Sequence, residues 1–354
     1  MIEALKIHVE KVAKSKLEVI NEADLKFGKQ FTDHMFVADF ENGEWKNASI
    51  IPYGNISLNP ATSFIHYGQS IFEGLKAHKG QNGEILIFRP DMNLGRMNQS
   101  ADRLSMAQIP SELFMSALRE LVNLDKDWVP SGEESSLYIR PFMFGTEPFL
   151  GVKASDSYRF MIILSPSGRY YATPVKVKIE KHFVRAAKGG TGFAKAAGNY
   201  AASLRPAQLA KADGYDQLIW TDAQEHKYIE EAGTMNIMFV INDALVTPAL
   251  SGSILPGVTR DSILQIARSW GMKVEERQVS VDELVQAMEQ GTLSEAFGAG
   301  TAATISHIRT IGHEGIDYDL PYVEDGPVAN KIKSYLNDFK RGRVEDTFGW
   351  NMKV

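Results

Sequence analysis

The stretch GGTGFAKAAGNYAAS, residues 189–203, decides how the rest of the chain is interpreted. It consists mostly of Gly, Ala and Ser, and Lys195 is its only charged residue. Small apolar neighbours on both sides of Lys195 exclude water, which favours the neutral amine that a nucleophilic lysine needs. The alternative is a flexible Gly/Ala loop with an incidental surface charge. Lys195 is therefore a candidate catalytic residue.

Two acids follow in the segment EEAGTMNIMFVI, residues 230–241, where apolar residues predict a strand. Side chains alternate along a strand, so one of Glu230 and Glu231 is expected to point inward and the other outward. An inward carboxylate needs a cationic or protonated partner, because an unpaired buried charge is very costly. We interpret Glu231 as an acid with such a partner; the alternative is a strand-end acid in water.

Two Gly-containing segments are suited to bind an anion. SGSILPGVTRDS, residues 251–262, precedes a predicted helix that begins near Thr259, and a helix N-terminus with a Thr hydroxyl can bind phosphate. The alternative is an ordinary capped helix start. FGAGTAATIS, residues 297–306, matches a dinucleotide-binding fingerprint, but the short β-branched run after it is not the required helix. We interpret it as a Gly-lined turn whose amides approach a carboxylate or phosphate.

A further anion-binding group is Arg96, in the predicted helix DMNLGRMNQSADRLSM, residues 91–106. A guanidinium turned inward could clamp phosphate, although arginines so placed are commonly solvated or ion-paired. An amine, an acid and anion-binding loops are together the parts that a pyridoxal phosphate enzyme requires.

The composition limits the other possible functions. The chain has 354 residues, 44% of them hydrophobic, and a net charge of −6, which argues against nucleic acid as the main partner. It has no cysteine, which excludes disulfides and a thiol nucleophile, and no residues stand at metal-ligand spacing, so we predict no metal. No apolar run approaches the roughly 18 residues of a membrane helix, and the N-terminus does not resemble a signal peptide. We therefore expect a cytoplasmic protein without a membrane partner.

The order of elements predicts an α+β protein with two domains. Residues 1–165 form the predicted N-terminal domain, in which 1–30 are a peripheral extension. Residues 166–174, PSGRYYATP, form the predicted linker, because two prolines and a glycine interrupt the pattern there. Residues 175–354 form the predicted C-terminal domain.

Local signals place the individual elements. Asn42-Gly43 and Asn82-Gly83 predict tight hairpin turns, and Ser280 with Glu283 predicts a capping box. Helical periodicity is found in four further segments, ELFMSALRELVNL, AASLRPAQLAKADG, TRDSILQIARSWG and VANKIKSYLNDF. Strands are predicted in LYIRPFMF, YRFMIILSPS, VKVKIE, QLIW and YIEEAGTMNIMFVI.

The motifs together resemble a known family. KAAGNYAAS, EEAGTMNIMFV, ILPGVTRDS and FGAGTAA, in this order, resemble the fold type IV pyridoxal phosphate enzymes and in particular the branched-chain amino acid aminotransferases. Four upstream segments also resemble this family, namely HYGQSIFEGLKA, FRPDMNLGRM, LYIRPFMFGTEPFLGV and SPSGRYY. The resemblance implies a D-amino acid aminotransferase-like fold, with a smaller N-terminal domain and a larger C-terminal domain that has a β-barrel-like core.

The resemblance also implies the roles of the cofactor-binding residues. Lys195 would be the Schiff-base lysine and the base that moves the proton. Glu231 would pair with the pyridine nitrogen, and Tyr200 would bond the phenolic oxygen of the ring. The phosphate would be held by Arg96, Val258, Thr259 and Thr301.

Substrate residues are implied in the same way. The substrate carboxylate would meet Tyr138 and the Thr301–Ala302 turn, and Arg140 would supply the cation for the side chain of glutamate. Tyr67, Phe72 and Tyr170 would line the apolar pocket. Family members are homodimers, so Val152 or its loop would reach a partner subunit. Some relatives carry a cysteine pair where this chain has Ala303 and Ser306, which removes thiol control there.

The predicted function is transamination between leucine, isoleucine or valine and 2-oxoglutarate. One alternative is another fold type IV enzyme, a D-amino acid transaminase or an aminodeoxychorismate lyase, although LYIRP and EAGTMN favour the branched-chain type. The other alternative is a non-catalytic protein that has kept the fold, against which the intact lysine, acid and phosphate-binding set argues.

Overall fold

A computed structural model of the chain describes residues 6–19, 21–168, 173–321 and 326–354. The chain divides into two compact units. Unit 1 comprises residues 1–170, 194–198 and 338–354, and unit 2 comprises 171–193 and 199–337. Unit 1 thus includes two segments that the sequence-based division assigned to the C-terminal domain.

The described residues form both strands and helices. The strands, β1 to β18 in chain order, are His8–Val9, His34–Glu41, Glu44–Pro52, Ser70–Phe72, Leu75–Lys79, Ile85–Phe88, Ser136–Gly145, Tyr158–Ser167, Val175–Ile179, Gln217–Thr221, Ile229–Ala232, Met235–Ile241, Ala244–Pro248, Val274–Arg277, Leu293–Gly300, Thr304–His313, Ile316–Asp319 and Asn351–Lys353. The α-helices, α1 to α8, are Ser63–Tyr67, Pro90–Arg103, Ser111–Leu124, Ala197–Ala202, Leu204–Ala212, Val258–Ser269, Val281–Glu289 and Pro327–Lys340. Short 3-10 helices span Leu17–Val19, Glu22–Asp24 and Lys126–Trp128.

Unit 1 is built on one sheet, in which the strand order is β1-β3-β2-β8-β7-β5-β6-β18 and β4 also pairs with β7. The hairpin predicted at Asn42-Gly43 is confirmed: Glu41 pairs with Glu44, and both turn residues have positive φ, 55° and 83°. The hairpin predicted at Asn82-Gly83 is present between β5 and β6, but Lys79 pairs with Ile85 and only Gly83 of the two residues has a positive φ, 84°, so its turn is longer than expected. Helix α3 packs on the sheet through Phe114, whose ring stacks on Phe160 with centroids 6.0 Å apart. Burying such a ring contributes about 1.5–3 kcal/mol.

The N-terminal segment is held to unit 1 by buried polar groups. Ser15 Oγ and the Lys16 N–H donate to the Asp33 carboxylate over 2.6 and 2.9 Å, and the Trp128 indole N–H donates to it over 2.9 Å. The Val12 N–H donates to His34 Nε2 over 3.0 Å, so His34 Nδ1 carries the proton that faces Asp125 at 2.6 Å.

Unit 2 is built on a closed ring of six strands. The ring runs β9-β10-β11-β12-β15-β16 and closes because β16 pairs with β9, while β13, β14 and β17 extend it. Side chains alternate as expected for a strand covered on both faces. In β10, Ile219 joins the main buried cluster of the unit, whereas Leu218 and Trp220 pack with Ala210 of α5.

The structure corrects three local predictions. YIEEAGTMNIMFVI is two antiparallel strands, β11 and β12, because Gly233 has a φ of +56° and forms a turn. The predicted helix over AASLRPAQLAKADG is interrupted at Ser203, between α4 and α5. Ser280 accepts the Glu283 N–H over 3.0 Å, but the Glu283 carboxylate bonds Arg277, so only half of the capping box forms.

The other predicted helices and strands are present, with ends within a few residues of those expected. The predicted linker overlaps the end of β8, and its residues 169–172 lie outside the described ranges. Within these ranges, no helix is long and apolar enough to cross a membrane. The described part of the chain also has no group of three or more His, Asp or Glu placed to hold a metal ion.

Candidate active site

The segment that carries Lys195 is fixed within unit 1 by its backbone. The Lys195 N–H donates to Ser100 Oγ of helix α2 over 2.8 Å, and the Lys195 carbonyl accepts the Phe72 N–H over 3.1 Å. An isolated bridge also joins Ile71 to Ala196. The small residues around Lys195 therefore allow its backbone to lie close to α2 and β4. The segment is not the flexible Gly/Ala loop of the alternative interpretation.

An aromatic ring lies beside the lysine amine. Lys195 Nζ is 4.8 Å from the centroid of the Phe72 ring, and Arg140 Cζ is 4.7 Å from the same centroid. Arg140 Nη2 donates to the Tyr138 hydroxyl over 3.1 Å. The backbone at Gly74 leaves room for that hydroxyl, because a Cβ there would lie 2.1 Å from it. The structure thus brings together four of the predicted residues: Lys195, Phe72, Arg140 and Tyr138.

Arg96 is buried in α2 and faces a carboxylate. Its Nε and Nη2 donate to Glu73 over 2.7 and 2.8 Å, and Asn93 Nδ2 donates to the same carboxylate over 2.7 Å. Burial alone would raise the pKa of Glu73, but the charge and hydrogen bonds of Arg96, the charge of Lys195 and the Asn93 bond lower it. Glu73 is therefore held as an anion among cations.

In unit 2, Glu231 is buried on β11, with one oxygen hydrogen-bonded and the other in an ion pair. Its Oε1 accepts the Leu255 N–H over 2.7 Å, and its Oε2 lies 3.3 Å from Arg185 Nε. This carboxylate has the cationic partner that a buried charge requires. Each carboxylate oxygen can accept a second hydrogen bond, so the group keeps the capacity to bind a protonated ring nitrogen.

Glu230 is buried as well, because the strand is covered on both faces, so neither acid points outward into solvent. The segment that follows β13 covers both acids: Ser253 Oγ donates to Glu230, as the Leu255 N–H does to Glu231. Burial raises the pKa of Glu230 and the neighbouring Glu231 adds to the rise, whereas the Ser253 bond and Arg185 oppose it.

Helix α6 begins where the anion-binding loop was predicted. Val258 and Thr259 are its first residues and both are buried, and Gly257 at the N-cap has no side chain to cap them. The first N–H groups of a helix have no partner within the helix. Gly is required at the cap because a Cβ at Gly257 would lie 2.0 Å from Asn236 Oδ1.

The second Gly-rich segment forms a turn between antiparallel strands. Gly300 pairs with Thr304, so Thr301 and Ala302 lie in the turn that joins β15 to β16, and both are half-buried. The turn is followed by strand β16 and not by the helix that a dinucleotide-binding fingerprint requires, in agreement with the sequence analysis. Gly298 has Met235 against it, with the sulfur 2.7 Å from where a Cβ would stand.

The structure gives the element and the exposure of three other predicted residues. Tyr67 is the last residue of α1 and is 45% exposed, and Val152 is 91% exposed. Tyr200 lies in α4 and is half-buried. Tyr170 lies outside the described residues.

Comparison with known proteins identifies the family. The sequence model of the family described as "Amino-transferase class IV" matches residues 70–311 of this chain. The branched-chain-amino-acid aminotransferase 2 of Bacillus subtilis (strain 168) is 49% identical over 334 residues, which are 93% of this chain and 92% of that protein. The probable branched-chain-amino-acid aminotransferase of Staphylococcus aureus (strain MRSA252) is 47% identical over 359 residues, covering 100% and 99%.

The chain belongs to the branched-chain-amino-acid aminotransferases of class IV. The crystal structure of the branched-chain amino acid aminotransferase from Escherichia coli is 27% identical, with a TM-score of 0.72 over 90% of this chain and 98% of that one. The predicted family, α+β fold of type IV and dependence on pyridoxal phosphate are therefore confirmed.

The residues of this aminotransferase fit the cofactor. Unit 1 supplies an amine beside an aromatic ring, and unit 2 supplies a buried carboxylate and an uncapped, buried helix start. A phosphate needs N–H donors and a pyridinium needs an anion, and these residues provide both.

Several residues around the aminotransferase site were not found from the sequence. Glu73, Ser100 and Arg185 contact predicted site residues within their own unit, and Ser253 bonds Glu230, the neighbour of the predicted Glu231. Glu73 stands within HYGQSIFEGLKA, one of the family-like motifs, and that position is the signal that could have singled it out. Ser253 stands in the predicted anion-binding segment 251–262, whereas Ser100 and Arg185 have no local signal.

Proposed function

We propose that this aminotransferase exchanges the amino group between leucine, isoleucine or valine and 2-oxoglutarate. The observation that carries the proposal is the surrounding of Arg140. Its guanidinium lies against Phe72 and Tyr138, and its Nε is buried with no hydrogen-bond partner among the described residues. A shielded cation of this kind can pair with the side-chain carboxylate of glutamate, while the aromatic rings accept an alkyl chain.

The cofactor, when bound, would supply an aldehyde that condenses with amino groups and a ring that withdraws electrons from the attached carbon. Lys195 would hold it through Nζ and, once released, move a proton at that atom. Glu231 would keep the ring nitrogen protonated, and Tyr200 would bond the phenolic oxygen. The phosphate would be bound by Arg96, by the Val258 and Thr259 amides with the Thr259 hydroxyl, and by Thr301.

The substrate would be oriented by other residues of the chain. Its carboxylate would meet Tyr138 and the turn at Thr301 and Ala302. Its side chain would lie against Phe72, Tyr67 and Tyr170, whose apolar surfaces exclude water from the reacting atoms. The contact between Arg140 and Tyr138 supports binding of a carboxylate by Tyr138. The Tyr138 hydroxyl oxygen accepts a hydrogen bond from Arg140 Nη2, so its O–H would donate to the carboxylate.

The test of the function is an assay of L-leucine against D-alanine with 2-oxoglutarate as acceptor. L-leucine should turn over and D-alanine should not. Turnover of D-alanine alone would refute the branched-chain assignment in favour of a D-amino acid transaminase. A protein that never takes up the cofactor would favour the non-catalytic alternative.

Lys195→Ala should lower the rate by several orders of magnitude, because the amine that carries and moves the proton is gone. Lys188→Ala is a matched control, since Lys188 is an exposed lysine of the same stretch of chain. Borohydride treatment of the native enzyme should modify the peptide that contains Lys195. Normal turnover of Lys195→Ala would contradict the assignment.

Homodimer formation, a contribution of Val152 or its loop to a partner subunit, and a cytoplasmic location also remain proposals. Exposure of Phe149, Leu150 and Val152 on one loop supports the first two, because apolar residues on a surface favour association. Light scattering of the purified chain would give its mass, and a monomeric mass would contradict the dimer.

A further inference from the structure

We propose that Glu73 is a positioning residue that fixes the Arg96 guanidinium for binding of the cofactor phosphate. The inference rests on the proposed role of Arg96 in phosphate binding. It adds a residue that does not touch the cofactor and acts through another side chain.

The carboxylate of Glu73 is fully buried and fully bonded. Its Oε1 accepts Arg96 Nε over 2.7 Å, and its Oε2 accepts Arg96 Nη2 over 2.8 Å, Asn93 Nδ2 over 2.7 Å and the Gly74 N–H over 3.1 Å. Two parallel bonds to one guanidinium fix its plane as well as its position. Arg96 therefore cannot rotate about its last torsions without breaking a charge-assisted pair in a water-free environment.

The helix that carries Arg96 also holds the backbone of Lys195. Asn93, Arg96 and Ser100 lie at successive turns of one face of α2, and Ser100 both donates to the Arg96 carbonyl over 2.9 Å and accepts the Lys195 N–H over 2.8 Å. On the other side, the residue before Glu73 donates its N–H to the Lys195 carbonyl over 3.1 Å. Glu73 thus lies where the supports of the phosphate-binding arginine and of the lysine meet.

A purely structural ion pair is the competing interpretation. Such a pair stabilises the fold, and its loss would lower the melting temperature without a specific effect on phosphate. A positioning role has a different signature, because only a ligand that carries phosphate should be affected. Partners that orient metal ligands commonly contribute about 10–100-fold to the affinity of the site, and we expect a partner that orients a phosphate-binding arginine to act in the same range.

The experiment is a fluorescence titration of the apoenzyme with pyridoxal phosphate and, separately, with pyridoxal, which lacks the phosphate. Glu73→Gln keeps the shape of the side chain and removes its charge. We expect it to weaken pyridoxal phosphate binding about 10-fold or more and to leave pyridoxal binding within about twofold. Arg96→Lys should show the same pattern, and the double variant should bind no more weakly than Arg96→Lys alone.

Glu295→Gln is the matched control. Glu295 is a buried carboxylate in unit 2 that accepts the Val328 and Ala329 N–H groups over 2.9 and 2.8 Å, so its loss affects stability alone. If this variant loses melting temperature as Glu73→Gln does and binds pyridoxal phosphate as the native chain does, destabilisation is excluded as the cause. Should Glu73→Gln fail to fold, Asn93→Ala removes one bond to the carboxylate and should weaken binding about threefold.

The outcomes separate the two levels of the proposal. Failure of the native chain to bind pyridoxal phosphate would overturn the proposed function. Native binding with loss in Arg96→Lys and no loss in Glu73→Gln would overturn the role of Glu73 alone. Equal weakening of pyridoxal and pyridoxal phosphate in Glu73→Gln would also overturn it, because the effect would not pass through the phosphate.

Discussion

The two units each bury carboxylates beside an arginine, but the balance of charge around them differs. In unit 1 a single acid, Glu73, faces Arg96 and also feels the charge of Lys195. In unit 2 two consecutive acids, Glu230 and Glu231, lie near one arginine, Arg185. Burial alone raises the pKa of any carboxyl. The comparison teaches that the neighbours decide the net direction, down for Glu73 and up for Glu230.

The largest difference should be seen when one partner of each pair is removed. Glu73→Ala leaves the Arg96 guanidinium buried without its carboxylate, and Arg185→Ala leaves two buried acids without their cation. Breaking a buried pair in this way costs about 3–5 kcal/mol of unfolding free energy. A guanidinium cannot lose its proton, so the loss in Glu73→Ala should be constant above the ordinary carboxyl pKa of 4.5 and should shrink only when Glu73 of the native chain is itself protonated. A carboxyl can gain one, so part of the loss in Arg185→Ala should be recovered on acidification.

Urea unfolding followed by circular dichroism at several pH values measures both losses. Charge-preserving replacements, Glu73→Asp and Arg185→Lys, are the controls and should lose less. A loss in Arg185→Ala that did not change with pH would show that its effect comes from packing and not from the uncompensated acids.

A smaller effect with opposite signs is expected when each acid is made neutral. The pKa of Glu73 is lowered, so its stabilisation is present above the ordinary value of 4.5 and is lost as the pH falls through the lowered pKa. The pKa of Glu230 is raised, so its favourable contribution is present below 4.5 and is lost as the pH rises through the raised pKa. Against the native chain, Glu73→Gln should therefore lose an acid-labile stabilisation on the order of 1 kcal/mol, and Glu230→Gln should gain stability toward neutral pH.

Unfolding free energies of the native chain and the two variants, measured across this range of pH, test the signs. Glu295→Gln serves as a reference for replacement of a buried acid elsewhere in the chain. Slopes of the same sign for Glu73→Gln and Glu230→Gln would break the comparison.

The smallest effect concerns the hydroxyl beside Glu230. Ser253→Ala removes the bond that lowers the pKa of this acid, so the pKa should rise further and the unfolding free energy should fall by about 0.5–1.5 kcal/mol. In a Glu230→Gln background the same change should no longer alter the dependence of stability on pH. A pH-dependent effect of Ser253→Ala that survives in that background would assign it to Glu231 instead.

Local signals in the sequence were sufficient for most elements and for the family. The Asn-Gly turns need positive φ, and the amphipathic helices show their buried face directly, so residues near in sequence determine them. The closed ring of strands was implied only by resemblance, since the pairing of β9 with β16 joins segments that are far apart in the chain. The break at Gly233 was missed because apolar residues on both sides of the turn resemble one continuous strand.

The supports of the candidate site could not be predicted for the same reason. Lys195 meets Ser100 across 95 residues and Arg96 meets Glu73 across 23, and no spacing in the sequence indicates either contact. The burial of both Glu230 and Glu231 depends on a covering segment that only the folded chain supplies. Sequence patterns thus predicted which residues would carry the chemistry, whereas the residues that hold them in place required the three-dimensional structure.

The attachment of the N-terminal segment limits how far the chain can be trimmed. Two of the three side-chain and backbone donors to Asp33, Ser15 and Lys16, belong to that segment, as does the Val12 amide that bonds His34. A chain shortened past Lys16 would keep every residue of the candidate site. It would nevertheless remove hydrogen-bond donors from the side chains of Asp33 and His34 and expose them. The segment that contains Val12, Ser15 and Lys16 thus covers one end of unit 1, and an expression strategy that removes it as a tail would be expected to yield a less stable protein.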